Sequence, residues 1–522
     1  MCKKCYITTP IYYASGTVHI GNSYSTIACD AFARYHRFKG DDTFFLTGMD
    51  EHGLKIEEAA AKANMTPQAF VDKIASETQT LWKNLNVTND DFIRTSEERH
   101  SKVVQAIFEQ LLKNDDIYLS EYEGDYCVAC ESFFTKTQLN EDGTCPDCGK
   151  PTRKVKEESY FLRLKKYQDQ LLDFIKSHPD FIQPESRRNE VIAFIEQGLE
   201  DLCVSRTSFK WGIPVTSNQK HVIYVWIDAL ANYITALGYG TNDDSLYQKF
   251  WVNNDQVYHV IGKDILRFHA VYWPIMLMAL NVPINFKLLS HGWILLKDSK
   301  MSKSKGNIVY PMTIVNNYGL DSLRYYLLKE MPFGNDGLFT WERFFERYNV
   351  ELANDLGNLV SRSISMINKY FGGKVVKPSK NYKEFDNSLE QTIEEAIKSS
   401  LESYDKFELQ QAINNAWSIV RRANKYIDET TPWTLAKDES RKEELNCVMY
   451  HLYEALRISS LLLAPIMPTS CEIILNELNV EENNKKIDSL VYGKTTEAEV
   501  TSEPIVLFKR LDAKKELEKF NS

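Results

Sequence analysis

The sequence predicts an α/β protein with a split parallel sheet, a cysteine-bearing insertion in its middle and a helical bundle at its end. Three observations predict it. Strand and helix signals alternate from Tyr6 to about Asp115 and resume at His221, two Cys-x-x-Cys pairs fall in the gap, and beyond Trp341 apolar positions recur only at helical spacing.

The apolar run Cys5 to Tyr13 predicts a strand and Ser15-Gly16 a turn; from His19 the apolar Ile20, Ile27, Ala31, Phe32 and Tyr35 recur near helical spacing. Thr43 to Leu46 reads as a strand, Leu54 and Pro67 open helices, Phe92 to Arg94 is a third strand, and a helix follows from Glu97. That is half of a doubly wound, Rossmann-like sheet. Tyr118 to Val155 reads as β ribbons, and Tyr160 to about Pro214 as helical and irregular structure. The α/β pattern then returns: strand His221 to Trp226, with Trp226 at its end, helix Ile227 to Leu237, strand Val257 to Ile261, helix Asp264 to Leu280 and strand Asn285 to Leu289. After Trp341 no strand is expected, and helices Glu351 to Phe371, Ser388 to Ser403, Leu409 to Thr430 and Glu443 to Leu463 form an α-helical bundle. The expected organisation is therefore a first half-sheet over 1–115, an insertion over 116–220, a second half-sheet over 221–290, a linking region over 291–350 and a helical domain over 351–522.

At 522 residues the chain exceeds what one core usually holds. A net charge of -10 speaks against general polyanion binding, although a local basic surface can still grip nucleic acid. No apolar stretch reaches the roughly 18 residues that mark a membrane span, and Met1-Cys2-Lys3-Lys4 leads straight into a strand rather than a signal peptide. A cytoplasmic protein with no membrane partner is expected. Cys127-x-x-Cys130 and Cys145-x-x-Cys148, the second pair shaped by Pro146 and Gly149, suit four thiolates around Zn2+, a knuckle at about 125–150. Four thiolates leave no open coordination position, so the metal is structural. Cys2-x-x-Cys5 starts a strand and is assigned no metal; Cys29, Cys203, Cys447 and Cys471 read as buried small hydrophobes.

Two segments carry chemistry. His19-Ile20-Gly21-Asn22 opens a helix, where unpaired N–H groups and the dipole attract phosphate and Gly21 lets a base or ribose approach the backbone. Lys300-Met301-Ser302-Lys303-Ser304 lies in a polar stretch with four lysines, suited to close over an anion such as pyrophosphate. Taken alone, His19 can also be read as a helix N-cap with no ligand, and without the first signature the lysines read as a solvated loop. Elsewhere, Ile265, His269 and Trp273 share one helix face, and Ala229, Leu230 and Tyr233 follow Trp226; both groups sit at carboxyl ends of strands, where open α/β sheets bind ligands.

The two signatures stand together with Pro10-Ile11-Tyr12-Tyr13, Gly48-Met49-Asp50-Glu51-His52-Gly53, Val225-Trp226-Ile227-Asp228-Ala229, Gly262-Lys263-Asp264-Ile265 and Pro432-Trp433. In this the chain resembles the class I aminoacyl-tRNA synthetases, and among them the methionyl-tRNA synthetases. The resemblance implies activation of methionine by ATP, with Mg2+, to an adenylate and pyrophosphate, then transfer to tRNA(Met). It places His19, Asn22, Arg206, Lys300 and Lys303 on the phosphates, and ATP on Gly16, Gly21, Gly262, Asp264, Gly292, Trp293, Ile294 and Ser302 as well. It adds Pro10, Ile11 and Tyr13 as a wall of the methionine slot and Asp50 as partner of the substrate ammonium; Asn358, Arg362 and Trp433 are implied to read the anticodon. One departure stands out: the family's first signature usually ends in a second histidine, and Asn22 keeps a donor there without the option of charge.

An insertion over 116–220, partly spent on zinc, is too short for the hydrolytic insert of the isoleucine, valine and leucine enzymes. A nucleotidyltransferase that adenylates a small acid without tRNA would not need the helical third, and a non-enzymatic tRNA binder would not need His19, Lys300 and Lys303. With the sequence ending at Ser522, a monomer without an appended β-barrel is expected.

Overall fold

The computed structural model describes residues 3–128, 132–134, 139–146, 148–296, 299–300 and 308–520. They pack as two compact units: a sheet unit of residues 3–18 and 41–292, and a bundle unit of residues 19–40 and 293–520.

The sheet unit is organised by seven strands, β1 (Lys4–Thr8), β2 (Tyr12–Tyr13), β3 (Asp42–Asp50), β4 (Asp91–Arg94), β5 (Ile182–Gln183), β6 (Val257–Gly262) and β7 (Phe286–His291). All pair in parallel. β1 lies between β3 and β6, and β7 lies between β6 and β5. Leu46 of β3 faces both Thr8 and Asp91, so β4 runs along the far edge of β3, while β2 prolongs the line of β1 opposite Met49 and Asp50. Both faces of such a sheet are covered, which is why the middle of β1 is apolar: Cys5, Tyr6 and Ile7 are all fully buried. The chain winds outward from β1 to β4 and returns at β6, so the order reverses between β1 and β6. β3 and β4 approach closely at Gly48, where a Cβ would stand 2.1 Å from the Ile93 carbonyl oxygen.

The insertion is an antiparallel ribbon, Ile117–Cys127 paired with Arg153–Leu162, flanked by Ser132–Phe134 and Leu202–Cys203. Helices Leu164–Ser177 and Glu185–Glu196 follow, with Leu171, Ile175, Val191 and Ile195 turned inward. The run His221 to Trp226 departs from expectation. Only Val222–Ile223 is a strand, antiparallel to Ser205–Arg206, and a helix spans Val225–Thr235, so Trp226 sits in a first helical turn rather than at a strand end. An apolar run of this length does not tell a buried strand from a buried helix. Asp228 in that first turn favours the helix through its dipole. The next helical stretch is also irregular: Phe268–Tyr272 is a π turn ahead of Trp273–Ala279, because Pro274 has no amide hydrogen for the turn before it.

In the bundle unit the helix Ile20–Phe38 buries Asp30, which takes ion pairs from Arg34 and from the fully buried Arg324, each at 2.7 Å. Ile294–Leu296 lies between Ser299–Lys300 and Gly337–Phe339 in a small sheet. Helices Glu384–Asp405, Leu409–Thr430 and Lys442–Leu463 pack on one another over Leu389, Ile393, Ala416, Val420 and Leu456. The third keeps nearly its whole circumference from solvent. Contrary to expectation, strands do not vanish after Trp341: Lys374–Val376 and Glu497–Glu499 form an antiparallel ribbon beside the bundle. Such short, partly charged strands leave no apolar alternation for a sequence pattern to reveal. Among the described residues, no helix is long and apolar enough to cross a membrane.

Candidate functional site

In the sheet unit Pro10 and Ile11 follow β1, Asp50 ends β3 and Ile265 follows β6, while Trp226, Tyr233, His269 and Trp273 form one aromatic cluster. Tyr233 is its hub. Its hydroxyl lies 2.8 Å from His269 Nε2, its ring stacks on His259 at 4.0 Å, and its main-chain oxygen accepts the Tyr6 hydroxyl. His269 Nδ1 lies 3.0 Å from the Ile265 carbonyl oxygen, so Nδ1 carries the proton and Nε2 accepts from Tyr233. Burial drives the His269 pKa down to about 4, so the imidazole is neutral at pH 7. His259 is held well below its usual value by burial, with His269 adding in the same sense, and lies 2.8 Å from Thr8 Oγ1. A neutral, hydrogen-bonded and aromatic surround is what an uncharged thioether side chain requires.

Trp226 stacks face to face on Phe268 at 3.6 Å and meets His269 edge-on. Ala229 and Leu230 are buried on the same helix, Ile265 is half-buried, and Trp273 is fully buried against Tyr233 and Trp251. Pro10, Ile11 and Tyr13 are half-buried; the Tyr13 hydroxyl donates to the His52 carbonyl oxygen at 3.1 Å, and Lys55 Nζ stands 4.8 Å above its ring. Asp50 ends β3 with its side chain largely buried. The exposed Asp264 turns its carboxylate over Gly262, where a Cβ would lie 2.5 Å from Oδ1 and would push that side chain aside, while Gly292 is buried next to His291, whose Nδ1 lies 2.7 Å from the Gly292 oxygen. Arg206 is buried between the rings of Tyr224 and Tyr126 and donates to Cys203 Sγ and the Ser205 oxygen. Gly16 takes a φ of 143° in the turn after β2.

In the bundle unit His19 is the N-cap of Ile20–Phe38. Its Nδ1 accepts from the Gly21 amide at 3.1 Å, and the Asn22 side-chain oxygen accepts from the His19 amide at 3.4 Å, a reciprocal capping box. With that oxygen turned to the cap, the Asn22 NH2 is the donor end of the side chain. A Cβ on residue 21 would stand 2.9 Å from His19 Cε1, so Gly21 makes room for the capping ring. The Lys300 backbone pairs with Leu295. Ser302 and Lys303 lie outside the described residues. The Trp293 amide donates to Asp336, and Ile294 is buried.

Cys127, Cys145 and Cys148 come together with their sulfurs within 4.8 Å of one another, Cys127 and Cys148 at 3.5 Å. Thiolates at about 2.3 Å from one ion are separated by such distances, so the donor set fits Zn2+. Cys130 lies outside the described residues, as does Cys2. Cys447 does more than fill space: its thiol lies 3.7 Å from Asp386, beside His451. There Asp386 accepts two backbone amides and the Tyr426 hydroxyl, and His451 Nδ1 bonds the Cys447 carbonyl, so these groups already serve as a helix cap.

On the bundle, Asn358 is exposed at the start of Asn358–Phe371 and Arg362 follows one turn on, with its guanidinium 3.8 Å from Asp428. Trp433 is 44% exposed, which rules out a core role. Thr431, a β-branched residue at φ 43°, forms the strained corner that turns it outward. Sequence reasoning missed Asp228, His52 and His100, a buried cluster in the sheet unit; the signal was there in Asp228, the one charge between Val222 and Ala236.

The family model of class I (M) tRNA synthetases matches residues 5–155 and 149–364, and that of the anticodon-binding domain of tRNA ligases matches residues 386–519. The fold is therefore that of a class I aminoacyl-tRNA synthetase. The methionine–tRNA ligase of Enterococcus faecalis is 53% identical over 524 residues, 98% of this chain and 78% of its own length; that of Bacillus subtilis is 52% identical over 526 residues, with the same coverage. The crystal structure of Mycobacterium tuberculosis methionyl-tRNA synthetase bound by methionyl-adenylate superimposes with a TM-score of 0.93 at 38% identity, covering 97% of this chain and 100% of that one. The chain belongs to the methionyl-tRNA synthetase family. Its reaction joins methionine to tRNA(Met) at the expense of ATP, through methionyl-adenylate.

Proposed function

We propose that the pocket around Tyr233 and His269 holds the methionine side chain, and that this is where the enzyme selects its amino acid. The neutral Tyr233–His269–Ile265 relay carries the reading, because a charged imidazole there would repel the ammonium and cost desolvation. Ile11, Tyr13, Trp226, Ala229, Leu230 and Ile265 line it, with Pro10 beside them and Trp273 as its buried floor. Asp50 pairs with the substrate ammonium.

The methionine carboxylate is already a nucleophile toward the α-phosphorus, so no general base is needed. What remains is to orient it and to spread the charge on the leaving pyrophosphate. His19 and Asn22, at a helix N-terminus, and Lys300 and Lys303 take that task, with Arg206 assigned by resemblance. Gly16, Gly21, Gly262, Asp264, Gly292, Trp293, Ile294 and Ser302 are the proposed nucleotide contacts. Mg2+ bound with ATP supplies charge neutralisation on the phosphates. Zn2+ on Cys127, Cys130, Cys145 and Cys148 orders the tip of the insertion. Asn358, Arg362 and Trp433 offer amide, guanidinium and aromatic surfaces to unpaired anticodon bases. We read the protein as a cytoplasmic monomer.

ATP–pyrophosphate exchange tests this across methionine, homocysteine, cysteine, valine and leucine. Exchange that responds to methionine, and is abolished by Asp50→Ala, is expected. Equal exchange with valine or leucine, or an Asp50→Ala variant with unchanged methionine KM, would refute the slot.

A further inference from the structure

The Val225–Thr235 helix carries one charged residue, Asp228, and buries it completely. Its carboxylate meets two imidazoles: Oδ2 lies 2.6 Å from His52 Nδ1, and Oδ1 lies 2.7 Å from His100 Nε2. His100 returns to the same helix through Nδ1, 2.7 Å from Thr235 Oγ1. Burial pushes the carboxyl pKa up, but His52 and His100 together outweigh it and keep the group ionised, below the usual carboxylate range. As a device for stability alone this is a poor choice, since apolar residues of similar volume commonly hold a helix as well as a buried ion pair does. A carboxylate with two fixed partners sets a direction, which an apolar contact does not.

The direction it sets is that of the turn after β3. His52 follows Asp50 by two residues, and its carbonyl oxygen receives the Tyr13 hydroxyl. On the other side of Asp50's turn, Glu51 accepts from Arg94 Nε at 2.7 Å and from the Ser96 hydroxyl, its amide donates to Thr95 Oγ1, and its carbonyl takes Trp211 Nε1 at 2.6 Å. Burial raises the Glu51 pKa, and Arg94 and Ser96 oppose that rise. The backbone that presents Asp50 is thus fixed by Glu51 toward β4 and by His52 toward Asp228.

We propose that Asp228 is a positioning residue for methionine: it clamps the Asp50–His52 turn, and with it the Tyr13 wall, to the helix that carries Trp226, Ala229 and Tyr233. The proposal rests on the reading of this pocket as the methionine slot. Asp228 makes no bond to substrate, and its effect falls on the placement of Asp50.

Asp228→Asn is the sharpest probe, because it keeps the volume but exchanges both charge-assisted bonds for weaker neutral ones and forces His100 into the other tautomer, which loosens the clamp without opening a cavity. The amide oxygen accepts from His52, its NH2 donates to His100 Nε2, and His100 Nδ1 donates to Thr235. The expected result is a methionine KM raised about tenfold in ATP–pyrophosphate exchange, with ATP KM and thermal midpoint close to wild type. Combined with Asp50→Asn, the second change should add little, as expected of two residues acting through one placement. An unchanged methionine KM in Asp228→Asn, or fully additive effects, would overturn the proposal. Should Asp228→Asn unfold, His52→Gln removes one arm of the clamp from outside the helix and is read by the same criteria. If Asp50→Asn alone leaves the methionine KM unchanged, the slot reading fails, and that outcome is distinct from failure of the clamp.

Discussion

The proposed methionine slot and the proposed anticodon-facing surface use similar side chains in opposite ways. In the slot, Trp226, Tyr233 and His269 are locked by stacking and by hydrogen bonds that close on one another within the sheet unit. On the bundle, Trp433 stands out on a strained corner, Asn358 is exposed, and Arg362 has a carboxylate at only 3.8 Å. A small apolar ligand is bound tightly only where the lining is built beforehand, since it brings few atoms to offset ordering costs. Unpaired bases bring their own stacking surface and tolerate a looser platform.

Three measurements can break or sharpen that contrast. The largest effect is expected from pH. His269 has a folded pKa near 4 against about 6.5 unfolded, so the unfolded state binds the extra proton first and stability is lost as pH falls from about 6.5 to 4. The loss assigned to this one group is about 3 kcal/mol. Chemical denaturation of wild type and His269→Gln across that window should show a shallower slope in the variant; parallel curves would mean that the slot histidine is not kept neutral by burial. Next is Trp433→Ala, expected to lower kcat/KM for tRNA charging about ten- to a hundredfold, the range of one lost base stack, while methionine activation is unaffected. Equal damage to both half-reactions would erase the distinction between the two surfaces. The smallest is Tyr233→Phe, which leaves His269 Nε2 without its donor and should raise the methionine KM about fivefold, for a cost of about 1 kcal/mol. Kinetics of pyrophosphate exchange reads it, and no change would show that the relay does not shape the slot.

Much of this was legible in the sequence, for identifiable reasons. Strands buried on both faces leave unbroken apolar runs, so β1, β3 and β6 could be placed, and Leu409–Thr430 could be bounded to the residue from its helical period. The paired cysteines advertised their cluster because ligand spacing is set by local turns. Two features stayed hidden. Val225 and Trp226 suit a strand as well as a helix, and the choice rests on Asp228, His52 and His100, whose meeting is a fact of tertiary packing. The cap formed by His19 and Asn22 was open to two readings, and the structure shows the capping geometry directly. For Trp433, the 44% exposure excludes a place in the core.

Both surfaces also depend on length. His269 lies inside the wide turn Phe268–Tyr272, and Asn358 directly follows another, Tyr348–Gly357. Each wide turn accommodates residues that a regular helix would have no room for at the same pitch. Loss of one residue from either would let the helix close to its ordinary pitch with the segments beyond still in phase, whereas loss of one residue from the regular helix next to it would rotate everything past that point by about 100°. The proposed ligand faces are therefore set by helical phase as much as by side-chain identity, and these wide turns are where the chain can lose a residue with least disturbance of that phase.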